Sequence, residues 1–115
     1  MQYMLLIYID PQLSPDDREK VGAEYGVFSQ GLHDRGAFVE GAPLSTTDTA
    51  TTVRIRNGNR VVTDGPFAET KEYLGGYYII EAPSLDAALE AAAMCPGSKY
   101  GSVEIRPVAG VPAAS

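Results

Sequence analysis

The chain has 115 residues, the length of one ordinary domain, and its 44% hydrophobic and 21% charged residues exclude a disordered chain. Its net charge is −6, with nine Lys and Arg scattered among fifteen acids, which argues against nucleic acid or an anionic membrane surface as a partner. The only cysteine, Cys95, excludes an internal disulfide and fits a reducing compartment.

The opening MQYMLLIYID is too short for the core of a secretory signal, and no apolar run approaches the roughly 20 residues that span a bilayer. The expectation is a cytoplasmic protein. Tyr3 to Ile9 is a continuous apolar run ended by Asp10-Pro11 and reads as a buried strand. Ser14-Pro15-Asp16-Asp17 then carries the marks of a helix start: a capping hydroxyl, proline at the first helical position and acids in the first turn. Val21, Tyr25, Phe28 and Leu32 recur on one helical stripe, and Gly36 marks the stop. Glycines 22, 26 and 31 each weaken that helix by about 1 kcal/mol relative to alanine. Either packing compensates, or the glycines permit a close approach.

Ala37 to Leu44 predicts a short second strand and Ser45 to Ala50 a polar loop. Thr51 to Arg56 and Arg60 to Asp64 flank Asn57-Gly58, a strong hairpin signal. Gly76 to Ala82 predicts a strand apolar on both faces. Ser84 caps a second helix whose expected inward stripe is Leu85, Ala88, Leu89, Ala92 and Cys95, stopped by Pro96. Ser102 to Val108 alternates as a half-buried last strand.

This order predicts an α+β fold, a ferredoxin-like split βαβ sandwich with an inserted β-hairpin, in one domain over residues 1–108, with 109–115 a frayed tail. Two helices cover one face of a four-stranded sheet. YMLLIYI and YYII are apolar on both, so the second face calls for another layer, and a second copy supplies it: a homodimer of the dimeric α/β-barrel kind.

Chemistry has few places to sit. One His and one Cys far apart in sequence, with no calcium-loop spacing of carboxylates, predict no metal. No GxGxxG follows the first strand and no P-loop is present, so no cofactor is expected. His33 lies off the apolar stripe in the last helical turn, where a surface imidazole is the simpler reading. Tyr25 lies on the stripe, either as a core tyrosine or with its hydroxyl in a cavity. Asp64 either accepts backbone N–H bonds in a turn or stands beside Phe67 and Lys71 as a carboxylate tuned for proton transfer. Glu69, Lys71 and Glu72 are a solvated charge run or part of a functional loop.

DGPFAETKEYLGGYYIIEA, together with MQYMLLIY and GSVEIRPV, resembles the YCII-related family in its DGPF-domain branch, over essentially the whole chain. The resemblance implies a dimeric ferredoxin-like α/β barrel. Some relatives in that family look like small-molecule lyases, such as a dehydrochlorinase acting on chlorinated hydroxyquinols. Genes of the DGPF branch often neighbour those of extracytoplasmic-function sigma factors, which implies regulation or stress response. The broader family is associated with a His–Asp pair; its His falls here at Tyr25, a departure, while the acidic position falls at Asp64. The resulting expectation is Asp64 as acid/base assisted by Tyr25, with Glu69, Lys71 and Arg106 binding a polar substrate in a cofactor-independent lyase or isomerase. The alternatives are a small-ligand-binding or regulatory module linked to sigma-factor-controlled transcription, and a purely structural DGPF loop.

Overall fold

The computed structural model describes residues 1–68 and 70–110, so Glu69 and residues 111–115 of the expected tail lie outside the described residues. Its elements are β1 (Gln2–Ile9), α1 (Pro15–Asp34), β2 (Phe38–Pro43), a 3-10 turn (Thr47–Thr49), β3 (Thr51–Arg56), β4 (Asn59–Asp64), β5 (Tyr73–Glu81), α2 (Leu85–Met94), α3 (Gly97–Tyr100) and β6 (Gly101–Pro107). Four strands form one antiparallel sheet in the order β2-β5-β1-β6. That is the ferredoxin-like split βαβ order, and β3–β4 forms a separate two-stranded sheet inserted between its halves. No helix among the described residues is long and apolar enough to cross a membrane.

The helix ends follow their chemistry. Ser14 Oγ accepts from the Asp17 N–H at 3.1 Å, and Pro15 opens α1. At the other end Gly36 adopts φ +67°; its N–H donates to His33 O, and the Ala37 N–H donates to Leu32 O, a Schellman closure. Ser84 caps α2 in the same way, its Oγ accepting from the Ala87 N–H at 3.1 Å.

In β1, Tyr3, Leu5 and Ile7 are buried against the helices, and their neighbours Tyr78, Ile80, Val103 and Ile105 share that face. Phe28 and Leu32 of α1 and Ala88, Ala92 and Cys95 from α2 and its end complete the core. The expected α2 stripe is corrected in one respect: Leu85 and Leu89 are 51% and 50% exposed, and alanines pack there instead. Small side chains let α2 lie close to the sheet, which turns the two leucines outward. The segment after Pro96, read as a simple stop, winds one further short helix, α3.

The other side of the sheet carries Met4, Leu6, Tyr77 and Ile79, none of them in the core cluster, and among the described residues no helix packs over it as a layer. The β3–β4 hairpin does not fold back to cover it. Asn57 (φ 53°) and Gly58 (φ 77°) make the tight two-residue turn that Asn-Gly favours, and every residue of the two strands except Thr52 is exposed. The Cα radius of gyration is 16.1 Å, against about 13 Å for a compact domain of this length. The hairpin is a projecting arm.

Candidate functional site

A cavity of about 490 Å³ opens between α1 and the helix-facing side of the sheet, towards the β2 edge. Gly22, Tyr25, Ser29 and His33 of α1 line it at spacings of three, four and four, so all four fall on one helical stripe next to the apolar one. Across from them stand Phe38 and Tyr78. A second cavity of about 320 Å³ adjoins at the far side of Tyr25, and it shares Ile9, Gly22 and Tyr25 with the first. Tyr73 and Thr46 bring the start of β5 and the β2–β3 connection to its wall.

The polar groups are few and ordered. Ser29 Oγ and Tyr78 Oη lie 2.5 Å apart in a hydrogen bond that joins α1 to β5. The Tyr25 ring stacks on Tyr78, with centroids 6.4 Å apart, and Phe28 meets both edge-on. The Cys95 thiol lies 3.7 Å from the Tyr25 hydroxyl. Gly97 makes room for that hydroxyl, since a Cβ there would stand 2.7 Å from it. Burial, reinforced by the neighbouring Cys95, pushes the Tyr25 phenol far up. Burial pushes the Cys95 thiol up as well, against the opposing hydrogen bond with Tyr25. Tyr25 is thus a neutral hydroxyl at physiological pH, suited to hydrogen bonding and not to acting as a base.

His33 is exposed, as a surface imidazole should be, but its ring lies on Phe38 at 4.1 Å between centroids, at the edge of the larger cavity. Ser29, His33, Tyr78 and Gly22 were not among the residues expected at a site. Their helical spacing to Tyr25 was the signal available for three of them; Tyr78 needed the strand register.

The expected residues are dispersed over the protomer. Tyr25 lines both cavities. Asp64 is exposed at the base of the arm, paired in register with Thr51, and lines neither cavity. Lys71 is exposed in the short loop before β5 and also lines neither. Arg106 pairs in register with Met4, on the opposite side of the sheet from Tyr25. Glu69 lies outside the described residues. The chain by itself therefore does not bring Asp64, Lys71 and Arg106 to Tyr25. The turn that begins at Asp64 is built architecturally: Gly65 has φ +104°, its N–H donates to Ala50 O, and its carbonyl accepts from Thr52 Oγ1. The Arg54 guanidinium lies 4.9 Å from the centre of the Phe67 ring.

The described residues form a ferredoxin-like α+β fold with a largely apolar cavity between its first helix and the sheet, set with a few hydroxyls. The chain belongs to the YCII-related domain family, whose model matches residues 1–111. It is 36% identical over 115 residues to "Uncharacterized protein R00369" of Rhizobium meliloti (strain 1021), covering 95% of this chain and 93% of the relative. Among solved structures it is similar to 5-chloro-2-hydroxyhydroquinone dehydrochlorinase (TftG) from Burkholderia phenoliruptrix AC1100, in complex with 2,5-dihydroxybenzoquinone. That likeness has a TM-score of 0.57 at 17% identity, over 94% of this chain and 93% of the other, and it speaks for the fold.

Proposed function

We propose that the protein binds a small, flat, hydroxylated molecule in the helix–sheet cavity and acts on it as a cofactor-independent lyase or isomerase. One observation carries the reading: a cavity of about 490 Å³ whose apolar walls hold a single line of hydroxyl and imidazole groups, Tyr25, Ser29 and His33 from α1, facing Tyr78. The volume lies within the roughly 300–1,000 Å³ typical of ligand sites. Stacked phenols favour a planar ring, and the hydroxyls orient its polar substituents. His33 is the proton-transferring group nearest at hand, imidazole being the side chain most often used for that work. The bound quinone of the dehydrochlorinase supports the same ligand class. The acid/base role proposed for Asp64, with Lys71 and Arg106 as substrate contacts, requires a site assembled beyond one protomer. A homodimer that covers the open side of the sheet with a second copy draws Arg106 into such an assembly, on the side of the sheet away from the helix–sheet cavity.

Titration calorimetry with 2,5-dihydroxybenzoquinone tests the reading. Saturable binding to the wild type, lost in a Gly22→Leu variant that fills the junction of the two cavities, is the expected result. Absence of binding, or binding unaffected by Gly22→Leu, sinks it. Binding without turnover of any related hydroxyquinol selects the second reading, a ligand-binding regulatory module.

A further inference from the structure

The two adjoining cavities beside α1 carry charge of one sign. Among the described residues no Asp or Glu lines either of them, in a chain with fifteen acids against nine Lys and Arg. Arg18 is the only Lys or Arg on their walls, and it stands in the smaller cavity. It lies four residues before Gly22 and so extends the line of Gly22, Tyr25, Ser29 and His33 by one more helical turn. One face of one helix thus offers a guanidinium, two hydroxyls and an imidazole in a row.

That guanidinium has no acid of its own. Among the described residues the ion pairs are Met1 with Glu81 and Lys99 with Glu24, and neither involves Arg18. The residues three and four positions away, Ser14, Pro15, Val21 and Gly22, include no carboxylate. Glu24 accepts from the Tyr100 hydroxyl at the wall of the smaller cavity, but Lys99 already holds it at 3.1 Å. Leu13, Val21, Tyr73 and Tyr100 make the rest of that wall largely apolar. Arg18 is exposed, so it stands as a cation at the rim of this space.

We infer that the smaller cavity is an anion subsite in which Arg18 holds a carboxylate of the ligand, while the ligand's hydroxylated ring lies in the larger cavity. The ligand class narrows to hydroxyaryl acids whose carboxylate sits on a short side chain. Arg18 and Tyr25 are seven residues apart, about 10 Å along the helix axis, which calls for such a spacer between ring and anion. The two parallel N–H donors of a guanidinium match the two oxygens of a carboxylate. A phosphate dianion would call for a second cation, and neither cavity has a Lys or another Arg on its wall. The subsite also gives the ligand a direction, with its carboxylate at Arg18 and its ring hydroxyl towards Ser29 and His33. The inference rests on the proposed binding in the helix–sheet cavity and adds the charge of what binds.

A pair of probes that differ only in charge tests it: 3-(4-hydroxyphenyl)propionate and its neutral amide, 3-(4-hydroxyphenyl)propionamide. Calorimetry on the wild type should find the acid bound about fivefold tighter than the amide. Arg18→Gln should bring the two affinities together without changing the urea midpoint, and Arg18→Glu should make the amide the better ligand. Lys20→Gln removes the same charge from the same helix at a residue that lines neither cavity, and it should keep the preference for the acid. Equal binding of acid and amide to the wild type overturns the anion subsite and leaves the cavity reading standing. A preference that survives Arg18→Gln, or that falls equally in Lys20→Gln, overturns the role of Arg18. Failure of both probes to bind, together with failure of 2,5-dihydroxybenzoquinone, overturns the cavity reading and the subsite with it. Failure of both probes where the quinone binds overturns the subsite alone.

Discussion

Ser29 and Tyr78 hold the first helix to the central sheet by a hydroxyl–hydroxyl contact of 2.5 Å at the wall of the larger cavity. The bond is half-buried and local to the site, so it serves both the protomer and whatever the cavity holds. Ser29→Ala and Tyr78→Phe should each cost about 1 kcal/mol of unfolding free energy. The double variant should cost less than the two together, because one bond is lost in all three. Urea unfolding in a double-mutant cycle reads this directly, and full additivity would count against the contact.

Gly22 leads to a prediction with two signs. A Cβ built there meets nothing within 4 Å, and the residue lies where the two cavities join. Gly22→Ala should therefore raise stability by up to about 1 kcal/mol, the ordinary gain of replacing glycine inside a helix. The same substitution should weaken binding of 2,5-dihydroxybenzoquinone. Thermal unfolding and calorimetry on one preparation check both, and a variant that is stabilised with unchanged affinity would separate Gly22 from the ligand.

The Tyr25–Cys95 pair makes the fold sensitive to alkali. Both groups keep their protons to a higher pH in the folded chain than in the unfolded one. Their contribution is full below the unfolded values of 9.0 for the thiol and 10.0 for the phenol, and it is lost as pH rises above them. The urea midpoint should fall from about pH 9 upward, and the fall should flatten in Tyr25→Phe/Cys95→Ala. An equally steep decline in that variant would falsify the assignment to this pair.

Leu32 is wholly buried at the foot of α1. Leu32→Ala should cost about 2–5 kcal/mol, the range for an emptied leucine site that relaxes incompletely. The midpoint of urea unfolding should drop with an unchanged slope; a loss below 1 kcal/mol would mean the helix settles into the gap.

The backbone plan was legible because its signals are local. Ser14, Pro15, Gly36, Asn57-Gly58 and Ser84 each act within a few residues, and each does in the structure what its chemistry dictates. The inward leucines of α2 were misread because periodicity identifies an apolar side without telling how close the helix sits. Ala88 and Ala92 allow an approach that leaves Leu85 and Leu89 in solvent. Tyr25 was found from its stripe, whereas Ser29 was not weighed and His33 was read as a surface imidazole, although both continue the same spacing. Tyr78 owes its place to the pairing of β5 with β1 opposite Leu5, a contact between distant segments that no local pattern announces. The dispersal of Asp64, Lys71 and Arg106 has the same origin. Their mutual placement depends on strand sides and on the arm's direction, which are set by tertiary contacts.

The central position of β1 imposes an order on synthesis. Its ladder partners are β5 and β6, so β1, made before both, waits for residues 73–81 and 101–107 before either of its edges is paired. Until then YMLLIYI is an apolar β-forming segment with both edges open, the kind of sequence that self-associates when left exposed. The nascent chain's hazard is greatest before β6 is made, and truncation within β6 should yield inclusion bodies sooner than a soluble partial fold.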